Sequence, residues 1–139
     1  MDEAVCDLRH ILQSALDTLA VSGARREYIM GTLRGKVKPR LDAQREREAI
    51  RLAGHLERIL GLNASQREAF VHAYTTENYY LIQGPPGTGK TRVLAMIASA
   101  LAGVGQRVLV TAFTHRAIYN ALRTIAKTTH YPHVFKVGQ

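Results

Sequence analysis

Apolar positions in the first sixty residues recur at steps of three and four. Val5, Leu8, Ile11, Leu12, Ala15, Leu16 and Leu19 line one face of a helix predicted over residues 2–21, and Ser22-Gly23 ends it. A weaker helical stretch covers residues 24–33. Arg34-Gly35-Lys36-Val37-Lys38-Pro39-Arg40 then breaks the pattern with glycine, proline and charge. A third helix is predicted over residues 41–60, dense in charge at Arg45-Glu46-Arg47-Glu48, followed by Ile50, Leu52, Leu56, Ile59 and Leu60, with Gly61 as its stop. After Leu62 the rhythm changes. Asn63 or Ser65 caps a helix running to about Tyr74, and a short apolar run, residues 79–83, reads as a buried strand. Residues 90–102 are helical and stop at Gly103 and Gly105. Arg107-Val108-Leu109-Val110-Thr111-Ala112 reads as a second buried strand, residues 115–127 as an amphipathic helix, and Val134-Phe135-Lys136-Val137 as a last strand. Strand, crossover helix and strand predict an α/β fold with a parallel sheet over residues 61–139, preceded by an all-helical segment over residues 1–60.

The connection between the first strand and its helix carries the sharpest chemistry. Gly84-Pro85-Pro86-Gly87-Thr88-Gly89-Lys90-Thr91 fits G-x-x-x-x-G-K-[ST], the phosphate-binding P-loop, and it stands between a predicted strand and a predicted helix, as that loop must. Its N–H groups are delivered to a helix start, where the dipole favours an anion. Gly84, Gly87 and Gly89 permit close backbone approach, while Pro85 and Pro86 stiffen the first half of the loop. Lys90 can reach the outer phosphates and Thr91 can offer a hydroxyl to Mg2+, so these two are the candidate catalytic residues and Thr91 the candidate metal ligand. Thr88 and Arg92 complete the cofactor-binding set, and ATP with Mg2+ is the expected ligand.

Charge sharpens this reading. Net charge is +8, with residues 1–60 at +2 and residues 61–139 at +6. That excess suits a polyanionic partner beyond the nucleotide, although a piece of a larger domain whose acidic residues lie elsewhere would look the same. No Asp or Glu occurs between Tyr79 and Gln139. P-loop hydrolases hold Mg2+ and activate water with carboxylates on later strands. A nucleotide-binding half-site without complete catalytic machinery is therefore expected, and with it a truncated domain, marginally stable and prone to associate. The basic stretch 34–40 can meet a phosphate backbone, but the solvated-linker reading is favoured. Cys6 is the sole cysteine and lies on an apolar helical face; no intrachain disulfide is possible, which fits a reduced, cytoplasmic setting. Met1-Asp2-Glu3 is acidic where a secretory leader is basic, and no run approaches the length of a membrane span. His130 and His133 lack a third metal ligand nearby.

Two flanking features address which kind of P-loop protein this is. Gln66 stands 24 residues before Lys90 in Leu62-Asn63-Ala64-Ser65-Gln66, and an amide there can pair with the N6 and N7 edge of adenine. Downstream, Thr111-Ala112-Phe113-Thr114-His115 lies at the carboxyl end of the second predicted strand, the edge where open α/β sheets bind ligands. Hydroxyls and helix-start N–H groups there can hold a phosphodiester backbone without reading its sequence, and His115 and Arg116 read as solvent or backbone contacts rather than catalysts. Phe113 can stack on a base or pack in the core, and packing is the favoured reading.

Together these segments resemble the start of the first motor domain of a superfamily 1 DNA/RNA helicase. The likeness is to the branch that contains the nonsense-mediated-decay helicase and the Okazaki-fragment-processing helicase–nuclease. Leu62–Gln66 resembles that branch's adenine-reading Q motif, Tyr80–Thr91 its motif I, Val108–Leu122 its motif Ia, and Phe135–Gly138 the start of motif Ib. The resemblance implies a partial RecA-like P-loop NTPase sheet, Gln66 on adenine, and Gly87, Gly89, Lys90 and Thr91 on triphosphate and metal. It places Thr111, Thr114 and His115 along single-stranded DNA or RNA, although many relatives carry asparagine where His115 stands. It also implies a second motor domain as partner. Residues 1–60 resemble nothing recognisable. Two other readings stay open: an AAA+ ATPase, on the P-loop alone, and a non-catalytic module that binds single-stranded nucleic acid.

Overall fold

A computed structural model describes residues 9–128. The expectations for Val5, Cys6, Leu8, His130, His133, the last strand and motif Ib fall outside these residues, as do the side chains of Ile11 and Leu12. The described residues form six helices: α1 (Arg9–Val21), α2 (Gly23–Leu33), α3 (Ala43–Leu60), α4 (Ala64–Thr75), α5 (Lys90–Gly103) and α6 (His115–Thr128). The chain forms two compact units, residues 1–38 and 39–139. In the first, α1 packs on α2, and the chain turns back after α2 with Lys36 and Val37 donating to the carbonyl of Gly31.

The second unit contains every candidate site residue. Its helices pack in sequence, α3 on α4, α4 on α5 and α5 on α6. Local chemistry sets their ends. Asp42 caps α3 by accepting from the N–H groups of Gln44 and Arg45, and Gly61 closes it at φ 62°. Asn63 and Gln66 form a reciprocal capping box at the start of α4. One core cluster joins Ala49 and Ala53 of α3, Phe70, Val71 and Tyr74 of α4, and Met96 of α5. The two alanines are fully buried, so the helix backbones approach closely beneath the stacked Phe70 and Tyr74 rings, whose centroids lie 5.9 Å apart. The Arg45 guanidinium covers the Tyr74 ring at 5.3 Å. A second cluster, Ala95, Ala98 and Ile125, lies between α5 and α6, with Val110 against it.

The predicted α/β parallel sheet is not formed. Among the described residues there is no strand, and sheet-type pairing is limited to an isolated antiparallel bridge between Leu41 and Thr76. Residues 79–83 and 107–112 are non-helical, as their sequence suggests, but they form no ladder. Leu81 is 80% exposed and Leu109 87%, so the burial expected of both runs fails as well. The physical reason is that a strand is completed by its neighbour: its N–H and C=O groups need a second strand at ladder distance. Here α5 spends its apolar surface on α4 and α6, and neither run finds a strand to pair with among the described residues.

Candidate nucleotide site

The P-loop lies between two helices whose starts are built for different purposes. α5 begins at Gly89, which adopts φ 81° and supplies no side-chain cap. The N–H groups of Lys90 and Thr91 at its start are therefore left for a ligand or water. α4, by contrast, is capped twice over. Asn63 Oδ1 accepts from the Gln66 N–H at 2.9 Å, and Gln66 Oε1 accepts from the Asn63 N–H at 3.1 Å.

The same Gln66 side chain crosses to the loop. Its Nε2 donates to the Thr88 carbonyl at 2.9 Å. A Cβ at position 89 would stand 2.6 Å from that Nε2 and push the Gln66 amide aside, while the left-handed φ of 81° is what favours glycine there. Thr88 Oγ1 donates to the Pro85 carbonyl at 2.8 Å and sits where a Cβ on Gly84 would fall. Lys90 Nζ donates to the carbonyls of Gly84 and Pro85, folding the ammonium back onto the loop. The loop is thus internally bonded, and an incoming phosphate has to compete with two carbonyls for the lysine.

Gln66, Gly84, Pro85, Thr88 and Lys90 line a single cleft of about 320 Å³, together with Asn63, Ser65, Ala69, Ile82, Gln83 and Val93. Pro86, Gly87, Gly89, Thr91 and Arg92 belong to the same loop and helix start but do not line it. A primary amide has two N–H donors and two acceptor lone pairs on oxygen. Gln66 spends one of each on Thr88 and Asn63, which leaves one donor and one lone pair, the set that a purine edge engages. Capacity for a nucleotide therefore fits the residues present. Thr91, the expected Mg2+ ligand, stands in the first turn of α5 outside the cleft lining, and no cluster of three His, Cys, Asp or Glu stands among the described residues.

Thr111, Thr114 and His115 lie apart from the cleft lining. All three are exposed. Thr114 Oγ1 accepts from the Ala117 N–H at 3.2 Å and so caps α6. Phe113 is 94% exposed, which corrects the packing expectation for that ring. The other hollow of note, about 580 Å³, is confined to the first unit, where Leu16, Leu19, Ile29 and Met30 meet Arg26, Arg34 and Lys36. No candidate site residue lines it.

Sequence reasoning missed the contact of His72 with Tyr80, whose Nδ1 and phenol oxygen lie 2.9 Å apart. No motif marks it, since the two residues meet only because α4 folds against the segment entering the P-loop.

The AAA domain family (AAA_11) matches residues 61–139. The chain belongs to this family. It is similar to the DNA replication ATP-dependent helicase/nuclease DNA2 of Saccharomyces cerevisiae, 46% identical over 67 residues, which is 48% of this chain and 4% of the relative. It is similar to the DNA2 proteins of Mus musculus and Homo sapiens at 41% and 40% over 78 residues, 56% of this chain and 7% of each relative. The match thus spans 4–7% of the length of these relatives. No solved structure matches. With these relatives, the family makes residues 61–139 part of the N-terminal motor region of a superfamily 1 helicase, and so a helicase-family ATP-binding region. Among the described residues, no helix is long and apolar enough to cross a membrane.

Proposed function

We propose that residues 61–128 form the ATP-binding part of a helicase motor in which Gln66 reads adenine and the Gly84–Thr91 loop holds the triphosphate. The observation that carries this reading is the Gln66 side chain bonded to the Thr88 carbonyl, which joins the base-sensing amide to the phosphate loop at 2.9 Å. Lys90 exchanges the carbonyls of Gly84 and Pro85 for phosphate oxygens, and the Lys90 and Thr91 N–H groups take further oxygens at the helix start. The Thr91 hydroxyl is the ligand this loop offers to Mg2+, which when bound would neutralise phosphate charge. Thr111, Thr114 and His115 lie along single-stranded DNA or RNA, with the exposed Phe113 beside them as a surface on which a base can stack. In the intact enzyme a second motor domain would close on the nucleotide.

These 139 residues by themselves bind ATP without turning it over, because no Asp or Glu follows Glu77. Titration of the whole chain with a fluorescent ATP analogue and Mg2+ tests both statements. Lys90→Ala is expected to weaken binding by at least about tenfold, the scale of a lost charge-assisted contact. Magnesium-dependent phosphate release that disappears in Lys90→Ala would overturn the second statement, and unchanged binding would overturn the first.

A further inference from the structure

The nucleotide cleft is held in register at two points on α4. One is the Gln66–Thr88 bond in its first turn. The other lies six residues later, where His72 Nδ1 meets the Tyr80 hydroxyl at 2.9 Å with the rings edge-on, centroids 5.3 Å apart and planes at 64°. Both side chains are half-buried. Tyr80 stands four residues before Gly84, so the contact ties the C-terminal half of α4 to the segment that becomes the P-loop. Thr76 Oγ1 donates to the Tyr79 carbonyl at 2.8 Å, which fixes the turn between helix and segment. α4 itself is fixed by the packing of Phe70, Val71 and Tyr74 against α3 and α5. What the second contact adds is a tie from that fixed helix to the segment feeding the loop, and this tie sets how far the loop stands from the Gln66 amide. Among the described residues no strand ladder performs this task for residues 79–83.

We infer that His72 and Tyr80 are a positioning pair for base selection: through α4 they hold the Gln66 amide at the distance from the P-loop that an adenine requires. The inference rests on the reading of Gln66 as the base sensor. Neither residue lines the cleft, so the effect expected of them is on preference between bases and not on phosphate binding. The pair works in either tautomer, since the phenol can donate to Nδ1 or accept from it.

The test uses the whole chain with Mg2+ and fluorescent analogues of ATP and GTP. Tyr80→Phe keeps the ring and deletes only the hydroxyl. It is expected to reduce the ATP-over-GTP preference by about three- to tenfold, the range of one hydrogen bond, with GTP-analogue affinity unchanged. His72→Ala should do the same, and His72→Asn, which restores a polar atom near the Nδ1 position, should recover most of the preference. Equal loss for both nucleotides in Tyr80→Phe would show a merely structural role and overturn the inference, as would an unchanged ratio. Gln66→Ala separates this from failure of the underlying reading. If Gln66→Ala removes the preference while Tyr80→Phe does not, only the positioning role falls; if Gln66→Ala leaves the preference intact, or the wild type has none, the base-sensing reading falls and the positioning role with it.

Discussion

The segment entering the P-loop and the segment entering α6 have similar sequences in kind: each is a short apolar run followed by small polar residues and a helix. Their environments differ. Tyr79 and Tyr80 are half-buried, and Thr76, His72 and Gln66 bind the first segment and its loop to α4. In the second, Leu109 is 87% and Phe113 94% exposed, Val110 packs against the α5–α6 cluster, and Thr114 caps the helix. The difference teaches that side-chain hydrogen bonds from a neighbouring helix can place a loop without a sheet, whereas a run that depends on strand neighbours stays on the surface. Loop placement here is a property of α4, whose Phe70 and Tyr74 are anchored in the core beside the residues that touch the loop.

That contrast breaks first at Phe70. Phe70→Ala empties a fully buried ring from between α3 and α4 and is expected to cost about 3–5 kcal/mol. Phe113→Ala, at an exposed ring, should stay within about 0.5 kcal/mol. Chemical denaturation of the two variants side by side measures both, and comparable losses would show that the second segment is packed after all. Gly89→Ala probes the loop itself. The added Cβ meets Gln66 Nε2 in a left-handed backbone conformation. A penalty of about 1–2 kcal/mol is expected, together with loss of ATP-analogue binding. Wild-type affinity in Gly89→Ala would mean that the Gln66–Thr88 contact is dispensable.

The smallest effect is one of pH. Burial, reinforced by Glu48, pushes the Tyr74 phenol above its ordinary value of 10.0, with Arg45 opposing. A raised folded-state value means that the neutral phenol is favoured by folding. The corresponding stability is fully present below pH 10 and is lost as pH climbs through the higher folded value. Denaturation midpoints should therefore fall on the alkaline side of pH 10, and Tyr74→Phe should flatten that part of the profile. An unaltered profile in Tyr74→Phe would assign the decline to other groups.

Much of the helical framework was legible because its signals are local. Gly61 and Asn63 act within a turn of their own positions, and the four-residue spacing of Leu52, Leu56 and Leu60 describes the face that packs, while Ile50 and Ile59 stay exposed. The P-loop was legible for the same reason, since its glycines and Lys90 are contiguous. The sequence offered Asn63 or Ser65 as the cap of α4, but it did not show that Gln66 completes a capping box or that it reaches Thr88. The parallel sheet was inferred from the same kind of local pattern and failed, because apolar alternation describes what a strand needs and not whether a neighbour supplies it.

By itself, the sequence determined where helices start and stop, the order of loop and helix, and the residues available for phosphate and base, all of which depend on groups a few positions apart. Tertiary structure alone decided that Gln66 reaches the Thr88 carbonyl, that His72 meets Tyr80, and that residues 79–83 and 107–112 remain without a ladder. Each of these depends on which surfaces helices α3 to α6 spend on one another, and a linear pattern carries no record of that choice.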